Sequence, residues 1–362
     1  MNTLMRRAAV SVAVSALAIS AAACGKAGDD KSDSSSSDKS IGLLLPDSVT
    51  TRYAKFDKPY FDAKVKALCS DCTLEYANAA GSASTQAQQV SSMITKGVKV
   101  IAISAVDAAA IKSSIQAAVD KGIKVVAYDR LAQGPVSAYV SFDNEKVGEL
   151  QGQSLLDAMG SKATKTSKVV MINGLASDPN AALFAQGAHK ILDSKVDVAY
   201  EQAGDWDAAT AAKKMSAAIT QLGAKKIAGV YSANDAMAGG IATVLKGAGI
   251  SDTPLTGQDA ELTGIQRIIA GTQSSTIYKA YKPEADAAAE LSVNLLEDKS
   301  IKSLATTTQT SGSGNKVPSQ LLTPVALTKD NIKTTVVKDG LYTVAQICTT
   351  DYAAACKKAG LE

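Results

Sequence analysis

One local pattern recurs along this chain and limits what it can fold into: an apolar run, an Ala-rich stretch of helical length, a glycine, then the next apolar run. Ile41–Pro46, Leu74–Asn78, Val98–Ser104 and Lys124–Tyr128 form one series of runs. Lys168–Asn173, Val196–Gln202, Ile227–Ser232 and Pro254–Gly257 form a second, with Thr276–Tyr278 after it. Runs of this kind suit buried parallel strands. The intervening stretches include Ala108–Lys121, Glu145–Met159 and Ala208–Leu222, and Gly97, Gly122, Gly223 and Gly249 stand where helices stop. Strand, helix and glycine repeated this often predict an α/β fold of parallel sheets.

Two series predict two doubly wound lobes. Ala138–Asp143 reads as the first crossing between them, with others near Tyr278–Lys282 and Ser300–Thr306. The first lobe is then 41–142 with 280–303, and the second 143–279 with 304–362. Asn331–Leu341 reads as an extended segment, and Cys348–Cys356 brackets a short terminal turn.

The start of the sequence speaks to compartment. Arg6 and Arg7 precede an almost uninterrupted small and apolar run from Ala8 to Ala22, too short to span a bilayer comfortably. Residues 1–23 therefore read as a signal peptide. Ala21-Ala22-Ala23-Cys24-Gly25 resembles the lipobox of bacterial lipoproteins, with Ala21 where Leu is usual. Lipidation at Cys24 is the expectation, and cleavage at an ordinary Ala-x-Ala site is the alternative. Lys26 to Ser40 carries almost no apolar side chain, so residues 24–40 read as a lipidated Cys and a disordered tether. At roughly 5–6 Å × √n, such a tether reaches about 20 Å. The expected location is the outer face of the cell membrane.

Formal charge is +3 for the chain and about +1 without residues 1–23, with no clustered basic stretch. Nucleic acid is a poor partner for such a body. Cys69, Cys72, Cys348 and Cys356 are an even set in an oxidising compartment. Three pairings are possible; Cys69–Cys72 with Cys348–Cys356 is the simplest. A single histidine, His189, argues against a metal site.

Open α/β sheets bind ligands outside the carboxyl ends of their strands. Those positions hold Asp47, Arg52 and Tyr53, then Asp129 and Arg130, Asp178 and Asn180, Asp205 and Trp206, Asn234 and Asp235, Gln258 and Asp259, and Lys279. A sugar hydroxyl donates and accepts, so carboxylates, amides and guanidinium groups satisfy it. The axial C–H face of a sugar suits an aromatic ring, and the only tryptophan stands among these polar residues. Singly, each has a plainer role: Asn234 as a helix cap, Asp129 and Arg130 as a surface ion pair, Trp206 in the core. Together they supply a sugar-compatible group at one position of successive βα units.

Longer motifs carry a family resemblance. Ala127-Tyr128-Asp129-Arg130, Ser141 through Gly148, Asn234-Asp235, Gly257-Gln258-Asp259-Ala260 and Ala270-Gly271-Thr272-Gln273 resemble the bacterial xylose-binding proteins. Those belong to the type I periplasmic sugar-binding family of ABC transporters. Val317 through Pro324 resembles that family's C-terminal crossover. The resemblance runs from Ile41 to about Leu341. It implies two Rossmann-like lobes, joined by a three-crossing hinge, that close on a monosaccharide such as D-xylose. It also implies roles: Arg52, Asp129 and Arg130 bonding hydroxyls from the first lobe, Asn180, Asn234 and Asp259 from the second, and Lys279 at the hinge. Trp206 would stack on one sugar face and Tyr53, standing where the family usually has Trp, on the other. The implied partners are the sugar, a permease and its ATPase, with the chain a monomer and no cofactor or metal. The four cysteines of the body and the tail beyond Leu341 are not part of the resemblance.

Two other classes compete. An enzyme would need a nucleophile elbow, phosphate loop, dinucleotide fingerprint or metal cluster, and the sequence shows none of these motifs. Paired carboxylates such as Asp129 and Asp259 suit glycoside hydrolysis in principle, but each has a cationic or amide neighbour. A sugar-responsive regulator would need an N-terminal helix-turn-helix where this chain has its leader. A receptor for sensing remains an alternative to a transport component.

Overall fold

Ser40–Leu45 (β1) is buried along its whole length and lies within a sheet built by alternating strands and helices. A computed structural model describes residues 39–361. The signal peptide over 1–23, Cys24 and the tether as far as Asp38 lie outside the described residues, while Ser40, assigned to the tether from sequence, already belongs to β1.

After β1, a π-helical turn over Tyr53–Asp57 leads into Lys58–Leu68 (α1). There follow Thr73–Asn78 (β2), Ala83–Lys96 (α2), Val100–Ile103 (β3), Lys112–Asp120 (α3), Lys124–Tyr128 (β4) and Ala138–Phe142 (β5). The chain then forms Asn144–Met159 (α4), Lys168–Asn173 (β6), Pro179–Leu192 (α5), Asp197–Ala203 (β7), Ala208–Leu222 (α6), Ile227–Ser232 (β8) and Asp235–Gly247 (α7). Leu262–Ala270 (α8), Thr276–Tyr278 (β9), Tyr281–Leu296 (α9), Thr307–Thr310 (β10), Lys316–Leu322 (β11) and Val325–Leu327 (β12) complete the lobes. Val344–Ile347 (α10) and Ala353–Lys358 (α11) close the chain.

The first sheet runs β10-β11-β5-β4-β3-β1-β2. Period-two alternation divides its side chains between two layers. Leu43, Leu45, Val100, Ala102, Val126 and Tyr128 pack with Phe61 of α1 and Leu291 of α9. Leu44, Ile101, Ile103, Val125 and Ala127 pack with Met93 of α2 and Ile115 of α3. The order of β5, β4, β3, β1 and β2 reverses direction between β1 and β3, the topological switch where open sheets place ligands.

The second lobe repeats this plan. Strands run β7-β6-β8, and isolated parallel bridges Val230↔Leu255 and Thr256↔Ser275 carry the pairing onward to β9, which pairs with β12. Val169, Val170, Met171 and Ile172 of β6 pack with Leu192 of α5, Met215 of α6 and Ile241 of α7. Helices α4 and α5 meet through glycine: a Cβ on Gly148 would collide with the Phe184 carbonyl oxygen, and one on Gly187 with that of Glu145. Only glycine permits so close a crossing.

Two sequence-based assignments are corrected. Residues 307–322, placed in the second lobe from sequence, form β10 and β11 of the first sheet, with Ser319 of β11 beside Tyr139 of β5. The third crossing is therefore at 322–325, not Ser300–Thr306, and Asp143 N–H donates to Leu322 O where first and third crossings run side by side. In β11, between β10 and β5, Val317 and Ser319 are buried while Lys316 and Pro318 are exposed, an alternation unlike the continuously buried β1, β3 and β5. Asn331–Leu341 is not extended: Lys333–Val337 form a π-helical turn with turns after it, and Ile332 and Val336, four residues apart, are buried in one apolar cluster. The disulfides are Cys69–Cys72 and Cys348–Cys356.

Candidate functional site

Most predicted strand-end residues face one cavity between the lobes, while Asp47, Asp205 and Asp235 do not line it. About 330 Å³ of empty space is lined by Arg52, Tyr53, Asp129, Arg130, Asn180, Trp206, Asn234, Asp259 and Lys279. Asp178 and Gln258, already noted at strand ends, line it as well. Thr50 and Phe184 complete the wall and were missed. Phe184 lies one helical turn beyond Asn180 on α5, so the i, i+4 spacing was the signal that pointed to it.

Arg52 is fixed before any ligand arrives. Its Nε and Nη2 donate to the two oxygens of Asp57 at 3.0 and 2.7 Å, and Nη2 also reaches Glu284 Oε2 at 2.5 Å. Nη1 points to Asp129 Oδ1 at 3.4 Å, the Tyr281 ring lies 4.6 Å from the guanidinium, and Tyr128 OH donates to Asp57. Burial works against the Arg52 charge, but Asp57 and Glu284 outweigh it and hold the group charged. The π-helical turn brings Arg52 and Asp57, five residues apart, together. Such turns recur at functional sites.

Tyr53 OH donates to Asp129 Oδ2 at 2.9 Å, which sets the ring at the cavity wall. Burial would raise the Asp129 pKa, but Arg52, Lys279 and Arg130 hold it below its usual range. Several contacts cross between the lobes, among them one from Ala108 N–H to the Ser177 carbonyl at 3.4 Å. Arg130 Nε lies 2.8 Å from Asp178 Oδ2, and Asn180 Nδ2 donates to the Asp129 backbone carbonyl at 2.9 Å. The cleft is closed in this structure.

The second lobe contributes a cap and a ring. Asn234 Oδ1 accepts from Met237 N–H at 2.9 Å, so this side chain caps α7 and also lines the cavity. Trp206 meets Phe184 edge to face at 6.3 Å, and Lys279, between β9 and α9, pairs with Asp259 Oδ1 at 2.8 Å. Asp235 does not line the cavity. It accepts from Gln273 Nε2, Thr276 Oγ1 and Glu261 N–H, anchoring the loop that carries Asp259.

Two features mark this as a site rather than a core. Asp129, Trp206 and Asp259 have φ of 62°, 60° and 91°, conformations that cost non-glycine residues about 1–3 kcal/mol each and collect where function requires them. Arg130 Nε, Trp206 Nε1, Gln258 Oε1 and Asp259 Oδ1 are buried without a well-aligned hydrogen bond. The ion pairs of Arg130 and Asp259 are close in distance but off-angle. Orphaned donors and acceptors around one cavity call for a ligand that both donates and accepts.

Known proteins give the same picture. The family described as periplasmic binding protein domain matches residues 41–300. The D-xylose-binding periplasmic protein of Escherichia coli K12 is 37% identical over 320 residues, covering 86% of this chain and 93% of that protein. The multiple sugar-binding periplasmic receptor ChvE of Rhizobium radiobacter is 33% identical, with the same coverage of 86% and 93%. Among solved structures, an ABC transporter solute-binding protein from Clostridium phytofermentans with bound β-D-glucose superposes with a TM-score of 0.77 at 26% identity, over 85% of this chain and 100% of that one. One from Chloroflexus aurantiacus with D-glucose gives 0.74 at 27% identity, over 84% and 97%. Two lobes of equal strand order, three crossings and a shared cavity therefore have a family: this chain belongs to the periplasmic binding proteins, with the type I fold.

Proposed function

We propose that this chain is the extracytoplasmic substrate-binding component of a carbohydrate ABC transporter and that it holds a monosaccharide, D-xylose or a related pentose or hexose, between its closing lobes. The observation that carries this is the ring of buried polar and charged side chains that the strand ends bring to one cavity, with Trp206 Nε1 and Gln258 Oε1 unpaired, beside the rings of Trp206 and Tyr53. Arg52, Asp129 and Arg130 would bond hydroxyls from one side, and Asn180, Asn234, Asp259 and Lys279 from the other. Sugar spanning both lobes stabilises the closed state by its differential affinity for that state. Asp129 and Asp259 each neighbour a cation, an arrangement that suits holding sugar hydroxyls.

Among the described residues no helix is long and apolar enough to cross a membrane. Membrane attachment in this reading comes from a lipid on Cys24, with the folded body a monomer that meets a permease and its ATPase. Mass spectrometry of the mature protein, with Cys24→Ala as control, checks the anchor. A thermal-shift panel of xylose, arabinose, ribose, glucose and galactose, followed by calorimetry, tests the ligand. A shift with at least one sugar is expected; no shift with any would overturn the sugar-binding reading.

A further inference from the structure

Gln258 stands at a strand end, lines the cavity and is 2% exposed, yet its amide oxygen has no hydrogen-bond partner among the described residues. Among the described residues that line the cavity, Arg130 Nε, Trp206 Nε1 and Asp259 Oδ1 are orphaned with it. Arg130 and Asp259 still keep an ion-pair partner, Asp178 and Lys279, whereas Trp206 Nε1 and Gln258 Oε1 keep none. Of these two the indole N–H can only donate, so the amide oxygen is the bare acceptor. The backbone fixes where it stands. Gly257 N–H donates to Ser275 O and Asp259 N–H to Ile277 O, both at 2.9 Å, and Asp235 N–H donates to Gln258 O at 2.9 Å. A Cβ on Gly257 would collide with Asp235 Oδ1, so the segment is clamped between Asp235 and the chain at 275–277.

The charged groups of the wall already pair with one another or with their neighbours, Arg52 with Asp57 and Glu284, Lys279 with Asp259. Gln258 does not. A sugar hydroxyl in the cavity can donate to its amide oxygen. A sugar whose hydroxyl is missing or inverted at that position leaves a buried acceptor bare in the closed cleft. Sites built around such a bond reject the analogue that lacks it far more strongly than an apolar pocket rejects an extra methylene. We propose that Gln258 is a specificity-determining residue, its amide oxygen accepting from one hydroxyl of the bound monosaccharide. This rests on the sugar-binding reading and adds to it a residue that chooses among sugars.

The test crosses Gln258→Met with the tightest-binding monosaccharide and each of its monodeoxy analogues, read by calorimetry. Methionine keeps an unbranched side chain and lacks the amide oxygen. The substitution should weaken the full sugar about tenfold or more. It should leave one deoxy analogue, the one without the partner hydroxyl, within about twofold of its affinity for the parent protein. Fluorescence of Trp206, the only tryptophan, separates a lost contact from a lost closure. The sugar-saturated variant should show the parent's emission change, and absence of that change overturns the proposal. Gln258→Leu carries the same cycle if Gln258→Met does not fold. Equal weakening of the full sugar and of every deoxy analogue would make Gln258 a prop for the cavity wall and overturn its role in selection. A variant that binds the full sugar within about twofold of the parent overturns it too. Binding of no monosaccharide by the parent protein overturns the sugar-binding reading, and this inference with it.

Discussion

The cleft and the C-terminal cap meet at Tyr281 and are built on opposite principles. On one side of Tyr281, the Arg52 guanidinium lies over the ring and the hydroxyl donates to the Asp259 carbonyl. On the other, Phe56 packs against it at 5.5 Å and joins Ile332, Val336, Tyr342, Ile347 and Leu361 of the chain end in one apolar cluster. That cluster also takes in Ile265, Ile268 and Ile269 of α8, so the cap spans residues from both lobes beside the second crossing. The cleft buries charge, strained backbone and unpaired donors; the cap buries aliphatic and aromatic surface and closes with Cys348–Cys356. One region lines a cavity with polar groups and the other packs apolar side chains against one another.

Breaking the buried charge network should produce the largest effect. Arg52→Ala strands Asp57, Glu284 and Asp129, and about 3–5 kcal/mol of stability should be lost, read from urea unfolding. A midpoint unchanged from the parent would show that the network is not integral to the fold. Arg130→Ala removes the partner of Asp178 and a group facing the cavity, and should cost on the order of 2–4 kcal/mol of sugar affinity by calorimetry. Unchanged affinity would remove Arg130 from the site.

The cap should answer differently. Replacing Cys348 and Cys356 by Ser opens a loop of sequence separation 8 and should cost about 2–3 kcal/mol of stability, with sugar affinity changed by less than about threefold. A large loss of affinity at unchanged stability would mean that the cap governs closure rather than merely bracing it. The loop beneath Asp259 should respond to pH. Burial pushes Glu261 up to about 8 and Asp235 up to about 7, against unfolded values of 4.5 and 3.8. The folded state therefore binds protons that the unfolded chain releases. That stability is fully present below about pH 4 and is lost as pH rises through about 7 to 8. Melting temperature should fall across this window, and Asp235→Asn should flatten the fall.

The site was legible because of where its residues stand. In a doubly wound sheet every strand delivers its next residues to the same edge, so reading strand ends along the chain collected Arg52, Asp129, Arg130, Asn180, Trp206, Asn234, Asp259 and Lys279. Thr50 and Phe184 escaped because the first precedes a helix by loop geometry and the second lies inside one. The partners of Arg52 escaped for a different reason. Glu284 is 232 residues away and enters from α9, which only packing against α1 and the sheet brings near. Likewise the pairing of 307–322 with β5 rested on a hairpin whose alternating, partly exposed strand carries little local signal.

The sequence by itself determined the two α/β lobes, the strand-end chemistry and the simplest disulfide pairing, all properties of neighbours within a few residues. Tertiary structure alone decided where the third crossing lies, which carboxylates hold Arg52 and how the chain end covers the hinge. Periodicity and composition act locally, whereas burial, ion pairing and cavity shape arise only when segments hundreds of residues apart exclude water from the same space.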